Sequence, residues 1–164
     1  MATNSIDPTA SINENDENLI FVKTQFRRRS KGPIMFNGCS PLGDVIILDN
    51  ISAKKSYDLT GWSIERQTDS QAMLNYTFPE RFVLPPSTAV ELWSSTATPI
   101  PNSSDPNDQQ TFLIKFVDLP TWNQARQWSI TRLFDATGRE RAIFLHRTLT
   151  PPTKEKKNSK INID

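Results

Sequence analysis

Apolar and polar residues alternate with a period of two through most of the middle of the chain. Trp62 and Ile64 alternate with Ser63 and Glu65. Leu74, Tyr76 and Phe78 alternate with Asn75 and Thr77, Val90 and Leu92 flank Glu91, and Phe112, Ile114 and Phe116 enclose Leu113 and Lys115. A period of two places one face of an extended chain inward and the other in water, which is the signature of a half-buried β-strand. Read this way, the sequence predicts eight or nine short strands, near 33–37, 44–50, 59–67, 72–78, 81–84, 88–94, 111–117, 127–134 and 140–147. Turn-forming residues separate them: Pro41-Leu42-Gly43, Asp69-Ser70, Pro79, Pro85-Pro86 and Asp135 to Gly138. No helical stripe and no heptad repeat is present, so the chain cannot build its own coiled coil. Strands of this length and spacing predict an all-β, immunoglobulin-like antiparallel β-sandwich.

Length and charge refine that picture. The 164 residues suit one domain. Residues 1–20 carry four acids and no base, whereas residues 21–31 carry Lys23, Arg27, Arg28, Arg29 and Lys31 and no acid. Both stretches are poor in apolar residues, so 1–31 is expected to be a disordered arm, acidic and then basic. Residues 32–149 are expected to hold the sandwich, and 150–164 a disordered, lysine-rich tail opened by Pro151-Pro152. Ser94 to Gln110 is a long polar stretch with three prolines, expected to be a mobile insertion or a binding loop. No apolar run approaches the ~18–20 residues that a membrane span needs. The first residues have neither the basic nor the apolar region of a secretory signal. Together with the single cysteine, this predicts an intracellular protein without disulfides.

Chemistry-bearing residues are sparse. The single histidine, His146, lies in the last predicted strand with no nucleophile motif nearby, and reads as a strand residue. Cys39 reads as a small packing residue at a strand end. One histidine and one cysteine do not make a zinc site, and glycine-rich phosphate loops are absent. The expectation is therefore no enzyme, no cofactor, no metal and no small-molecule substrate. Of the four tryptophans, Trp62 shares a face with Ile64 and is assigned to the core. Trp122 follows Leu119-Pro120-Thr121 in a loop and is expected to be an exposed or half-exposed anchor. The run Arg27, Arg28, Arg29, Lys31 reads as a nuclear-import signal, a nucleic-acid contact or a solvated linker.

Several segments, taken together, resemble the lamin tail domain, the immunoglobulin-like module of nuclear lamins and invertebrate cytoplasmic intermediate-filament proteins. They are Gly43-Asp-Val-Ile-Ile-Leu-Asp-Asn50, Gly61-Trp-Ser-Ile-Glu-Arg-Gln67, Tyr76-Thr-Phe-Pro-Glu-Arg-Phe-Val-Leu84 with Val90-Glu-Leu-Trp93, Thr121-Trp122, and Asp135-Ala-Thr-Gly-Arg-Glu-Arg-Ala142. They occur in the family's order from about Gly32 to Leu145. The resemblance implies a non-enzymatic adaptor of the intermediate-filament or lamina system, placed on cytoplasmic filaments or in the nucleus, whose partners are filament or lamina-associated proteins. Arg81 matches one basic position of a partner-binding patch, while Thr77 stands where vertebrate lamins carry arginine. Lys54, Lys55, Trp122 and Arg126 are the other candidate contact residues. The alternative is a chromatin or nucleic-acid-binding protein that uses the basic arms, Arg27, Arg28, Arg29 and Lys31 foremost. The sequence ends without a prenylation signal, so no membrane anchor is expected.

Overall fold

A computed structural model describes residues 22–98, 111–115 and 121–149. Its strands are β1 (Lys23–Ser30), β2 (Ile34–Cys39), β3 (Val45–Asn50), β4 (Tyr57–Asp58), β5 (Ser63–Thr68), β6 (Leu74–Thr77), β7 (Val83–Leu84), β8 (Thr88–Trp93), β9 (Thr111–Lys115), β10 (Trp128–Phe134) and β11 (Glu140–Leu149). Two sheets form, in the orders β1-β11-β10-β5-β6 and β2-β3-β8-β9, and β4 with β7 makes a short ribbon. Among the described residues there is no helix, and so none long and apolar enough to cross a membrane.

The alternation read from the sequence is what closes the core. Ile46 and Leu48 of β3, Val90 and Leu92 of β8, Ile64 of β5, Leu133 of β10 and Phe144 of β11 project between the sheets and are buried. Trp62 joins them, as expected. Each such side chain removed from water contributes about 1.5–3 kcal/mol of hydrophobic stabilisation.

Three features depart from expectation. The first is β1. Residues 23–30 belong to the sandwich and not to a disordered arm, pairing antiparallel with β11 from Lys23↔Leu149 to Ser30↔Ala142. The Lys31 N–H continues the ladder to the Arg141 carbonyl at 2.7 Å. The strand has no apolar alternation because it lies at a sheet edge with most of its side chains in water. Its cohesion comes from backbone pairing, which hydropathy does not report. The second is β4, whose two residues are too short a run to show a period. The third is that β9 runs parallel to β8, from Ala89↔Thr111 to Trp93↔Lys115. A parallel neighbour requires a crossover of a dozen residues or more, and the long Ser94 to Gln110 connection supplies that length. Residues 99–110 of that stretch lie outside the described residues, as do 1–21 and 150–164 of the expected arms.

Arg66 of β5 is fully buried, at 0% exposure, on the inward face of the sandwich. Its Nε donates to the Asn123 carbonyl at 3.0 Å, one terminal nitrogen to Thr131 Oγ1 at 2.9 Å and the other to the Ser40 carbonyl at 2.8 Å. One guanidinium thus joins the end of β2, strand β10 and the 121–127 segment. Burial lowers its pKa from the usual arginine value, and the neighbouring Cys39 partly offsets this. Burial also pushes the Cys39 thiol up to about 12, so it stays protonated and packs as a small apolar residue.

Candidate partner-binding surface

The short ribbon positions three of the predicted contact residues. Asn50, buried at the end of β3, donates through Nδ2 to the carbonyls of Lys55 (2.8 Å), Leu84 (3.1 Å) and Pro85 (2.8 Å), and its Oδ1 accepts from the Ser52 N–H (3.0 Å). The Lys54 and Lys55 side chains remain exposed on a loop whose backbone is fixed from beneath. Arg81 sits at the turn before β7, exposed, with φ of 61°. Its N–H donates to Thr60 Oγ1 at 2.9 Å, and that hydroxyl donates to Asp58 Oδ1 at 2.5 Å. The hydroxyl and then the N–H of Thr60 hold the Asp58 carboxyl below its usual value, so the carboxylate anchors the turn. Because Tyr57 pairs with Leu84 and Asp58 with Val83, Lys55 and Arg81 flank opposite ends of the ribbon.

Arg126 is exposed elsewhere, next to the start of β10. Its N–H and that of Gln127 bind the two oxygens of Asp69, each at 2.9 Å. Desolvation opposes ionisation of that carboxyl, but these backbone donors outweigh it and keep the pKa low. Asp69 closes the β5 to β6 turn, whereas Arg81 is tied to the Thr60-Gly61 turn before the opposite end of β5. The predicted cations therefore do not converge on one patch.

Trp122 corrects the expectation. It is 0% exposed and is a core residue, not an anchor. Its backbone N–H binds the Gly43 carbonyl at 2.9 Å, its indole Nε1 donates to the Leu92 carbonyl at 2.6 Å, and Tyr76 stacks edge-on at 5.6 Å. The 121–125 segment folds across the end of the sandwich because Gly43 lets it come close. A Cβ on Gly43 would lie 2.5 Å from Thr121 Oγ1 and 3.0 Å from the Asn123 carbonyl, and its φ of 78° favours glycine.

The predicted basic cluster is present but is built differently. Arg27, Arg28 and Arg29 are exposed on β1, and Lys31 is exposed in the following turn. Pairing puts Arg27 opposite Leu145 and Arg29 opposite Ile143 on the outer face, while Arg28 lies opposite Phe144 on the inner side. The outer face carries a shallow cavity of about 440 Å³ lined by Gln25, Arg27, Trp128, Ile130, Leu145 and Arg147. A second hollow, of about 450 Å³, lies where β1 meets β2 and includes Phe26, Arg28, Gly38 and Ile47. Sequence reasoning missed both, because they depend on the unrecognised strand. The one available signal was Phe26 among arginines, an apolar residue with no reason to sit in a solvated arm.

His146 is buried, with its Nε2 3.2 Å from Thr148 Oγ1 and its ring 5.5 Å from Phe26. Burial lowers its pKa below the usual 6.5, Arg66 lowers it further, and Asp69 acts the other way. Among the described residues no three metal-ligating side chains come together.

The Lamin Tail Domain family model matches residues 27–146. That span includes the second half of β1, in keeping with its place in the sheet. The chain is similar to the muscle cell intermediate filament protein OV71 of Onchocerca volvulus, at 32% identity over 72 residues, covering 44% of this chain and 17% of the relative. It is similar to the intermediate filament protein ifb-2 of Caenorhabditis elegans, at 25% identity over 134 residues, 82% of this chain and 23% of the relative. It is also similar to the 70 kDa neurofilament protein of Doryteuthis pealeii, at 36% identity over 72 residues, 44% of this chain and 11% of that protein. The matched region thus spans less than a quarter of each of these relatives.

Proposed function

Because the chain belongs to the lamin tail domain family, whose members are structural proteins and not enzymes, we propose that it is an adaptor that binds intermediate-filament or lamina-associated proteins. Its place of action is then the cytoplasmic filament network or the nuclear lamina. Binding runs through exposed residues on rigid supports: Arg81 first, then Lys54 and Lys55, with Arg126 as a separate contact.

The observation that carries this reading is the backbone of Arg81. A non-glycine residue at φ of 61° costs roughly 1–2 kcal/mol relative to an ordinary conformation. Strain of this kind persists where the surroundings over-determine it, and it clusters at functional positions. Here the Thr60–Asp58 relay fixes the turn, and the side chain it presents is an arginine, a residue favoured at interface hot spots.

The test separates folding from binding. Arg81→Gly removes the guanidinium and relieves the strain, so the variant should melt at the same or a higher temperature. In sedimentation with filaments assembled from full-length ifb-2, the wild-type chain should pellet with the filaments. Arg81→Gly should weaken that association about tenfold, equivalent to ~1.4 kcal/mol. Equal pelleting of the two proteins would overturn the assignment.

A further inference from the structure

Four of the five glycines, Gly32, Gly43, Gly61 and Gly138, have positive φ, so their backbone accounts for them. Gly38 does not share this reason. It has no positive φ, and a Cβ built on it would meet only Ile47 Cδ1, at 3.8 Å, which is ordinary contact. It follows Asn37, the extra residue of a β-bulge in β2, and that bulge does not demand a glycine here. A glycine inside a strand forgoes side-chain packing, and it marks a bulge, a bend or a place where another chain or ligand comes close.

What the missing side chain leaves open is the hollow between the β1 and β2 edges. Its floor is Gly38 with Val45 and Ile47, and its wall is Phe26 against Phe144. Phe26 is 53% exposed although its ring lies 5.8 Å from that of Phe144. Arg28 stands at the rim, 3.4 Å from Asn37 Oδ1 and near the half-buried Asp49. Among the described residues nothing pairs with the second edge of β1. That strand carries Lys23, Arg27, Arg28 and Arg29 and no acid, and among the described residues the ion pairs Arg132–Glu140 and Arg141–Asp135 do not involve it.

The geometry points to a docking site for an extended acidic peptide segment of a partner protein, which adds as a strand to the free edge of β1 and seats one bulky apolar side chain over Gly38. Strand addition supplies backbone hydrogen bonds, and the pocket supplies selectivity. The basic edge selects for acid, and it repels a second copy, whose β1 would set arginine against arginine. The site shares no residue with the Arg81, Lys54, Lys55 and Arg126 surfaces, so it stands or falls apart from the adaptor assignment.

The probe is a fluorescein-labelled peptide in which glutamates flank a Leu-Phe pair, followed by anisotropy with the full chain. Binding should weaken with added salt, and a peptide with lysines in place of the glutamates should not bind. Gly38→Leu should fold with equal or greater thermal stability and lower the affinity by about tenfold or more, because leucine fills the seat. Arg28→Glu should also weaken binding, by reversing the rim charge, and it serves should Gly38→Leu fail to fold. No binding by the wild-type chain, or affinity within about twofold of it in both variants, would overturn the proposal. So would binding of duplex DNA in preference to the acidic peptide, unchanged by Gly38→Leu. Self-association of the chain that Gly38→Leu abolishes would overturn it as well, by making a second copy the occupant.

Discussion

Arg66→Met is the most informative single change to the fold. Methionine approximates the length of the aliphatic stem but removes the charge and all three hydrogen bonds that hold Asn123, Thr131 and Ser40. The Asn123 carbonyl and the Thr131 hydroxyl then lose a donor in the interior, while the Ser40 carbonyl keeps that of the Gly43 N–H. An unsatisfied buried polar group costs about 1–3 kcal/mol. Relief of the desolvation of a buried charge works in the opposite direction, and replacing such charges by apolar residues is sometimes neutral. Two facts decide the sign here. The partners remain in place after substitution, because the Trp122 and Ala125 N–H groups still bind the Gly43 and Pro41 carbonyls and hold the 121–125 segment against the turn after β2, and methionine offers the buried acceptors no replacement donor. The expected loss is about 3–4 kcal/mol, a large share of the ~5–15 kcal/mol that holds a typical domain together. Arg66→Lys separates charge from shape. Its ammonium keeps the charge but cannot span three divergent acceptors, so it should recover less than half of the loss. Urea unfolding followed by tryptophan emission measures both, since Trp62 and Trp122 are buried reporters. The lost stability should appear as a lower midpoint at unchanged slope. A loss below about 1 kcal/mol for Arg66→Met, or full recovery by lysine, would refute the reasoning that three-way bridging and not charge is what Arg66 supplies.

Two further outcomes follow from the same framework. Asn50→Asp places a carboxylate against the carbonyls of Lys55, Leu84 and Pro85, and should destabilise by about 2–4 kcal/mol in urea unfolding while loosening the Lys54–Lys55 loop; a loss under about 1 kcal/mol would show that the amide is not the clamp. The pKa of His146 is lowered in the folded state, so the unfolded chain takes up a proton near pH 6.5 that the native chain refuses. Stability should therefore fall as the pH drops below about 6.5, and this limb should be missing in His146→Gln. As the chain has one histidine, its ring signals in a proton NMR titration need no assignment, and a midpoint at or above 6.5 would contradict the burial argument.

What could be read from the sequence was set by which interactions hold each element. The strands that face the core announce themselves, because Ile64 alternates with Ser63 and Glu65, and Val90 and Leu92 flank Glu91, so that one face is buried. The family resemblance rested on these same strands and on the turns between them, and both the fold class and the family were legible. Trp122 was misplaced because a loop tryptophan looks alike whether its indole meets water or a carbonyl. The 2.6 Å bond to Leu92 and the close approach at Gly43 exist only once distant segments have met.

β1 was invisible for a related reason. An edge strand wet on both faces is held by its ladder to β11, and every residue type but proline can make that ladder. The same property gives the strand its potential as a binding edge. Its side chains are not committed to the core, so arginines can occupy successive positions and its second edge is left for another chain. Gly38 then takes on meaning only beside Phe26, which hydropathy alone would have left in a solvated arm. A glycine that no backbone angle requires, next to an aromatic ring that no core requires, is best explained by something that fits between them. Gly38→Leu asks that question at little cost to the fold.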